Sequence, residues 1–305
     1  MQSKREVRTV LCDWGTSRLR AYLQVGGEVI ARCEGPGIGA LTSPAVAALQ
    51  ATLRSWRNEA TFDQIVACGM VGSRNGIVEV PYVQAPTGAF DWAAQALMHR
   101  VERVPLLIAA GVCGPNFAGI TDVMRGEETQ IFGAIACNEA LTRGTHTLLL
   151  PGTHSKWVQI TEGRIATVQT FITGELFALL RDHSSLLRAG NSGEPPADGF
   201  AVGVARSCNA GLADSLFEAR AAQLTQARPQ AWAREFLSGL LIGDEIRVAL
   251  RTRATTSIML VGETTLLARY REALAAHGII ATCLDGDQCV VAGLQLLASQ
   301  HSCAH

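Results

Sequence analysis

Three groups of residues in this chain have the types and spacing for chemistry on phosphate. The first is an acid that ends an apolar run and leads into a small polar turn: Asp13, then Gly15, Thr16 and Ser17, with Arg18 and Arg20 close behind. Backbone N–H groups at a tight glycine turn converge on phosphate oxygens, hydroxyls add donors, and arginines supply positive charge. Asp13 suits Mg²⁺, held mainly through water because that ion gives up its hydration shell reluctantly; read blandly, it only caps its turn. The second group repeats the theme at Gly152, Thr153 and His154, followed by Lys156. Two such loops facing each other across a cleft would clamp a polyphosphate from both sides. The third is the adjacent pair Glu127 and Glu128 at a predicted helix start, where the helix dipole favours anions. They are either ordinary first-turn residues or the place of a general base. Two further loops follow predicted strands, where ligands of α/β sheets bind. One offers Ser73, Arg74 and Asn75; the other offers Thr173 and Glu175. Turn chemistry accounts for these equally well.

The elements that must hold these groups follow from periodicity. Arg8 to Cys12 reads as a buried strand. After Ser17, Leu19, Ala21, Leu23 and Val25 alternate with polar partners, a period of two that makes a strand rather than a helix. Gly26-Gly27 is a hairpin turn and "EVIARCE" a third strand, so Gly15-Thr16-Ser17 is the tip of a β-hairpin. "SPAVAALQATLRSWRN" predicts a helix with Ser43 as N-cap and Pro44 at its first position. "QIVACG" and "VPLLIAAGV" read as buried strands, and Glu127 to Thr142 as a helix closed by Gly144. The opening then returns: strand "HTLLL", turn "PGTHS", strand "KWVQIT", turn "EG", strand "RIATVQTF". Gly15-Thr16 aligns with Gly152-Thr153, and the next hairpin glycine comes eleven residues later in both copies, at Gly26 and Gly163. That echo predicts two similar halves. The last third alternates a long helix from "QAWAREFLSGLLIGDEIRVAL", strand "SIMLVG", helix "TTLLARYREALAAHG", strand "IIATCL" and helix "QCVVAGLQLLAS", the signature of α/β architecture. Residues 189–199, "AGNSGEPPADG", read as a connecting loop.

Bulk properties narrow the class. The 305 residues are 48% hydrophobic, enough for one large core or two ordinary ones. Charge is balanced, 26 basic residues against 27 acidic, which argues against a basic stripe for nucleic acid. Nine cysteines occur without a C-x-x-C pair, mostly in apolar runs, as expected of free thiols in a reducing cytoplasm rather than of a disulfide framework or zinc site. No apolar stretch is long enough to span a membrane, and the N-terminus lacks the apolar region of a signal peptide. P-loop, Rossmann, nucleophile-elbow and H-E-x-x-H patterns are all missing.

With these residues in view, "DWGTSRLRAYL" resembles the phosphate-1 motif of the actin and hexokinase ATPase superfamily. "GMVGSRNG", "DVMRGEETQ", "PGTHSKWVQ", "TGELFALLRDHSSLL", "EFLSGLLIGDEI" and "LVGETTLLARY", in this order, are similar to the 2-dehydro-3-deoxygalactonokinases, sugar-acid kinases of bacterial galactonate catabolism. The resemblance runs from about Val10 to Ala298. It implies an α/β protein of two similar domains with the actin-like ATPase (ribonuclease H-like) fold and a cleft between them. The expected domains are 1–113, joined by a C-terminal helix over 288–305, and 114–287. It implies ATP and Mg²⁺, with Asp13 at the metal position and Gly15, Thr16, Ser17 and Arg20 near the phosphates. Gly152, Thr153 and His154 would form the second phosphate loop, and Gly262, Thr264 and Thr265 would lie near the nucleoside. Glu127, then Glu128, would be the base; related carbohydrate kinases have Asp there, so reach differs by about one bond. Ser73, Arg74, Arg125, Lys156, Thr173 and Glu175 would meet the sugar acid, with an arginine on its carboxylate because a guanidinium fork pairs with two oxygens. The implied reaction moves the ATP γ-phosphoryl to the 6-hydroxyl of 2-dehydro-3-deoxy-D-galactonate in the cytoplasm, with no nucleic-acid or membrane partner and with a homodimer as a compatible assembly. Open alternatives are a kinase for another small sugar acid or polyol, a non-kinase actin-like ATPase or scaffold, and a phosphohydrolase.

Overall fold

Alternating apolar runs pair early in the chain and again in the middle, and the computed structural model shows each set at the heart of its own sheet. It describes residues 6–188, 198–251 and 255–304, so most of the expected loop at 189–199 lies outside the described residues. The elements run β1 (Arg8–Trp14), β2 (Arg18–Val25), β3 (Glu28–Pro36), α1 (Ala45–Thr52), α2 (Arg54–Glu59), β4 (Gln64–Gly69), β5 (Tyr82–Gln84), α3 (Ala89–Ala94), β6 (Leu97–Val101), β7 (Val104–Ile108), β8 (Gly111–Pro115), β9 (Thr121–Met124) and α4 (Glu127–Cys137). They continue with β10 (Thr145–Leu150), β11 (Ser155–Thr161), β12 (Arg164–Phe171), α5 (Thr173–His183), α6 (Gly199–Ser207), α7 (Leu212–Ser215), α8 (Glu218–Thr225), α9 (Gln230–Arg251), β13 (Ser257–Gly262), α10 (Thr264–Ala276), β14 (Ile280–Asp285) and α11 (Gly286–Ala304).

The first sheet has the order β3-β2-β1-β4-β7-β6 and the second β12-β11-β10-β13-β14. In each, a meander of three strands is followed by parallel neighbours: β1 runs parallel to β4 and β4 to β7, as β10 does to β13 and β13 to β14. The motif echo is therefore an echo of topology. Both meanders turn on two residues with positive φ, Gly26-Gly27 and Glu162-Gly163, as a twist-matched hairpin requires. A small third sheet, β5-β8-β9, completes the strands.

Two compact units result. One comprises residues up to 145 with 159–168 and 286–305; the other comprises 146–158 and 169–285. The expected boundary at 113/114 is displaced, because α4 belongs to the first unit. Its Gly133 backs onto α11 so closely that a Cβ would lie 1.8 Å from the Cys289 carbonyl oxygen, and Gly293 meets the Thr129 carbonyl in the same way at 2.0 Å. The second unit repeats this device between α6 and α9: a Cβ on Gly239 would lie 2.0 Å from the Phe200 carbonyl oxygen, and one on Gly203 2.1 Å from that of Phe236. In the first unit Val10, Leu11, Cys12 and Trp14 of β1 are fully buried. In the second, Trp232, Phe236, Leu237 and Leu240 of α9 pack with Leu186, Leu187 and Ala222.

Several local expectations change. Pro44 rather than Ser43 is the N-cap, since its carbonyl accepts the first helical bond, from Ala48 N. The predicted first helix breaks at Leu53 into α1 and α2. "VPLLIAAGV" splits between β7 and β8, which belong to different sheets. The helix from Glu127 ends at Cys137 and continues as a 3₁₀ turn over Glu139–Thr142. Thr173 and Glu175 open α5 rather than lying in a loop. No described helix is long and apolar enough to cross a membrane.

Candidate active site

Within the first unit, β1 carries Asp13 to the sheet end beside β4, in register with Cys68. The turn that follows is braced from outside: Gly15 N donates to the Arg18 carbonyl (2.9 Å), while the carbonyls of Gly15 and Thr16 accept from Ile38 N (3.1 Å) and Gly39 N (2.9 Å). Only glycine fits at position 37, where a Cβ would lie 2.2 Å from the Thr16 oxygen. Thr16, Ser17 and Arg18 stay exposed at the tip. Asp13 Oδ2 accepts from Arg20 Nη2, and Oδ1 accepts the Cys68 thiol at 3.8 Å. Arg20 also donates from Nη1 to Asp287 Oδ1 at 2.6 Å, and Asp287 in turn binds Arg32 at 2.5 Å. Burial would lower the Arg20 proton affinity, but Asp13 and Asp287 raise it beyond the ordinary arginine value. Arg20, expected near phosphates, is the counter-charge of Asp13 in this structure, and Asp287, which no motif marked, completes the ladder. No described group of three His, Cys, Asp or Glu could cage a metal. Asp13 therefore offers a single carboxylate, already paired with Arg20, and no cage of protein ligands around it among the described residues.

The α4 N-terminus supplies the second part. Gly126, at φ +115°, sits where a Cβ would lie 3.2 Å from the Gly69 Cα, so two glycines let the helix start approach the end of β4. Glu128 is fully buried; its two carboxyl oxygens accept from Gly126 N at 2.9 and 2.7 Å, and Thr129 Oγ1 adds a bond at 3.3 Å. Burial, reinforced by the neighbouring Glu127 carboxylate, pushes the Glu128 carboxyl up to about 8. Glu127 is half-buried, and its Oε2 accepts from Arg125 N at 3.1 Å. The Arg125 guanidinium donates from Nη2 to the Val80 carbonyl (2.7 Å) and lies 4.2 Å from the Tyr82 ring centroid. Its Nε and Nη1 are buried without a hydrogen-bond partner. By contrast, Arg74 is 86% exposed in a surface pair with Glu79, and Ser73 Oγ donates to the Met70 carbonyl beside it.

In the second unit, the Gly152-Thr153-His154 loop leads into β11 and backs onto α5. Gly174 comes so close that a Cβ would lie 2.3 Å from the Gly152 oxygen; Glu175 N donates to the Thr153 carbonyl (2.9 Å), and Glu175 Oε2 meets His154 Nε2 at 2.6 Å. Lys156 points inward instead: it is buried, with Nζ donating to Thr170 Oγ1 at 2.8 Å. Gly262 ends β13 with φ +155°, and Glu263 caps α10 by accepting from Thr265 N (3.0 Å) and Leu266 N (3.2 Å). Thr264 and Thr265 are exposed in that first turn. A cavity of about 530 Å³ opens over Gly152, Thr153 and Gly174, with apolar wall from Phe177, Leu241, Ile242 and Leu266 and polar groups from Glu235, Ser238 and Arg269. Thr264 and Gly262 line a smaller one of about 260 Å³.

Residues 13–297 match the family model described as 2-keto-3-deoxy-galactonokinase. The chain belongs to that family. It is 35% identical over 300 residues to a 2-dehydro-3-deoxygalactonokinase of Escherichia coli strain K12, covering 95% of this chain and 97% of the relative. A probable 2-dehydro-3-deoxygalactonokinase of Rhizobium meliloti strain 1021 is also 35% identical, covering 94% and 95%. Among solved structures, one described as a putative 2-dehydro-3-deoxygalactonokinase from Sinorhizobium meliloti superposes with a TM-score of 0.83 at 34% identity, covering 95% of this chain and 98% of that one. Component A of (R)-2-hydroxyglutaryl-CoA dehydratase from Acidaminococcus fermentans shares the fold alone, with a TM-score of 0.52 at 13% identity. Family membership agrees with the fold that the motif resemblance implied, and the two sheets agree with the two similar halves read from the repeated hairpins.

Proposed function

We propose that this protein is a kinase that transfers the γ-phosphoryl group of ATP to the 6-hydroxyl of 2-dehydro-3-deoxy-D-galactonate. The observation that carries the reading is similarity along nearly the whole chain to relatives bearing that name. Phosphoryl transfer asks a protein mainly for positioning and charge stabilisation. The exposed tips at Thr16-Ser17 and Thr153-His154 are suited to the phosphates, and the 530 Å³ cavity of the second unit to the nucleoside. Magnesium, when bound beside Asp13, would offset charge on the transferring phosphoryl.

Glu127 is the base in this reading, because Glu128 has no surface and holds its proton at neutral pH. Glu128 instead bonds the Gly126 amide and so fixes the turn from which Glu127 projects. Arg125 takes the substrate carboxylate. A buried N–H without a partner costs about 1–3 kcal/mol, and an anion meeting it recovers that cost; Arg74, out in solvent, offers no such gain. Reaching those donors requires the segment around Gly72, Val80 and Tyr82 to shift. Lys156, Thr173 and Glu175 serve the second loop's architecture rather than the sugar acid.

The test is a coupled assay of ADP release against a panel of sugar acids. Release that requires the galactonate-derived acid supports the reading; release on a polyol, or without any acceptor, would point to the related kinase or to a phosphohydrolase, and none at all to a scaffold. Glu127→Gln should retain KM for both substrates while kcat falls by about 10²–10⁴, the usual worth of a positioned base. An unchanged kcat would remove Glu127 from that role.

A further inference from the structure

Glu245 lies on the buried face of α9, where an acid persists only if its polar atoms find partners. It is 2% exposed and accepts from Trp157 Nε1 at 2.8 Å and from the Tyr270 hydroxyl at 2.8 Å. The Tyr270 hydroxyl also shares a hydrogen bond of 2.9 Å with Ser155 Oγ, and the Thr173 hydroxyl interacts with the same carboxyl. Burial pushes that carboxyl up from its ordinary value. One side chain on α9 therefore joins β11, α5 and α10.

These elements are also the walls of the 530 Å³ cavity. Thr173 and Tyr270 line it directly, Ser238, Leu241 and Ile242 line it from α9, and Thr153 lines it from the loop that enters β11 at Ser155. Trp157 and Glu245 are not part of that lining; they hold its Tyr270 and Thr173 from behind. We infer that Glu245 is a positioning residue for the nucleotide: from behind the wall, its carboxyl holds the phosphate hairpin, α5, α9 and α10 at the spacing an adenine nucleotide needs. The inference rests on the reading of this cavity as the nucleotide site. A charged or polar group satisfied on several sides specifies one arrangement of the elements it joins, whereas an apolar residue at the same place would leave them free to slide.

Steady-state kinetics and calorimetric binding of a non-hydrolysable ATP analogue test it, with full-length protein throughout. Glu245→Ala should raise KM for ATP and Kd for the analogue about tenfold to a hundredfold, the range for losing a buried hydrogen-bond hub, while KM for the sugar acid stays within about threefold. Glu245→Gln should return both to within a few fold of the parent, because an amide oxygen can accept from Trp157 and its NH₂ can donate to Tyr270, which then donates to Ser155. Leu237→Ala, in the helical core and not among the lining residues, controls for lost stability and should lower Tm without separating the two KM values. Equal changes in both KM values, or none, in Glu245→Ala would overturn the inference. If that variant does not fold, Trp157→Phe removes the Nε1 donor to Glu245 from outside the lining; a raised Kd for the analogue supports the inference and an unchanged one overturns it. Failure of the parent protein to bind the analogue would instead remove the nucleotide reading of the cavity, and the inference with it.

Discussion

Replacing Glu128 by Gln removes one buried proton-binding site at the start of α4, and its consequence can be worked out from burial and charge. An unfolded chain releases this proton around 4.5, whereas the folded protein keeps it until about 8. The folded state thus binds more protons across that interval. The stability this group contributes is complete below 4.5, is lost as pH climbs to about 8, and changes no further above it. Each pH unit on the slope is worth about 1.4 kcal/mol, so the interval carries on the order of 5 kcal/mol. Gln cannot titrate, yet its amide oxygen can still accept from Gly126 N. Urea unfolding followed by tryptophan fluorescence, for parent and variant in steps from about pH 5 to 9, reads the difference directly. The stability of Glu128→Gln relative to the parent should rise with pH up to about 8 and then level off. Removing the charge of the second contributor, in a Glu127→Gln background, should move that levelling to lower pH. A difference that stays constant with pH would refute the reasoning, since Glu128 would then hold its proton no more tightly folded than unfolded.

Other consequences follow from single contacts. Gly133→Ala drives a methyl into the Cys289 carbonyl and must part α4 from α11; a loss of about 3 kcal/mol or more in thermal unfolding is expected, beyond the usual 1–3 kcal/mol cost of overpacking a core. Arg125→Ala should raise KM for the sugar acid about tenfold or more with KM for ATP little changed, whereas Arg74→Ala should leave both within about twofold; equal effects would separate Arg125 from the carboxylate. Asp13→Asn should shift the Mg²⁺ titration of activity to higher concentration, and an unshifted curve would remove Asp13 from metal binding.

Local pattern carried much of this protein. The period of two after Ser17, the two-residue turns at Gly26-Gly27 and Glu162-Gly163, and the repeated Gly-Thr step were sufficient to place both hairpins, because hairpin pairing is decided by residues within a few positions of one another. The ordered motifs likewise led to the family. What the sequence left open depended on residues far apart in the chain. Arg20 pairs with Asp287, 267 positions away, as well as with Asp13, and only the folded sheet brings those three side chains together. Nothing local distinguishes Arg74 from Arg125; burial beside Val80 and Tyr82 does. Glu127 and Glu128 are equivalent as neighbours in sequence, and the helix start, by turning one fully inside and leaving the other half-buried, makes one a proton store and the other a candidate base. Glu245 carries no mark of its own along the chain, and Lys156 reads there as a charge of the second loop, aimed at ligand. Their roles inside the second unit come from Tyr270, Trp157 and Thr170, which only tertiary packing brings within hydrogen-bond reach.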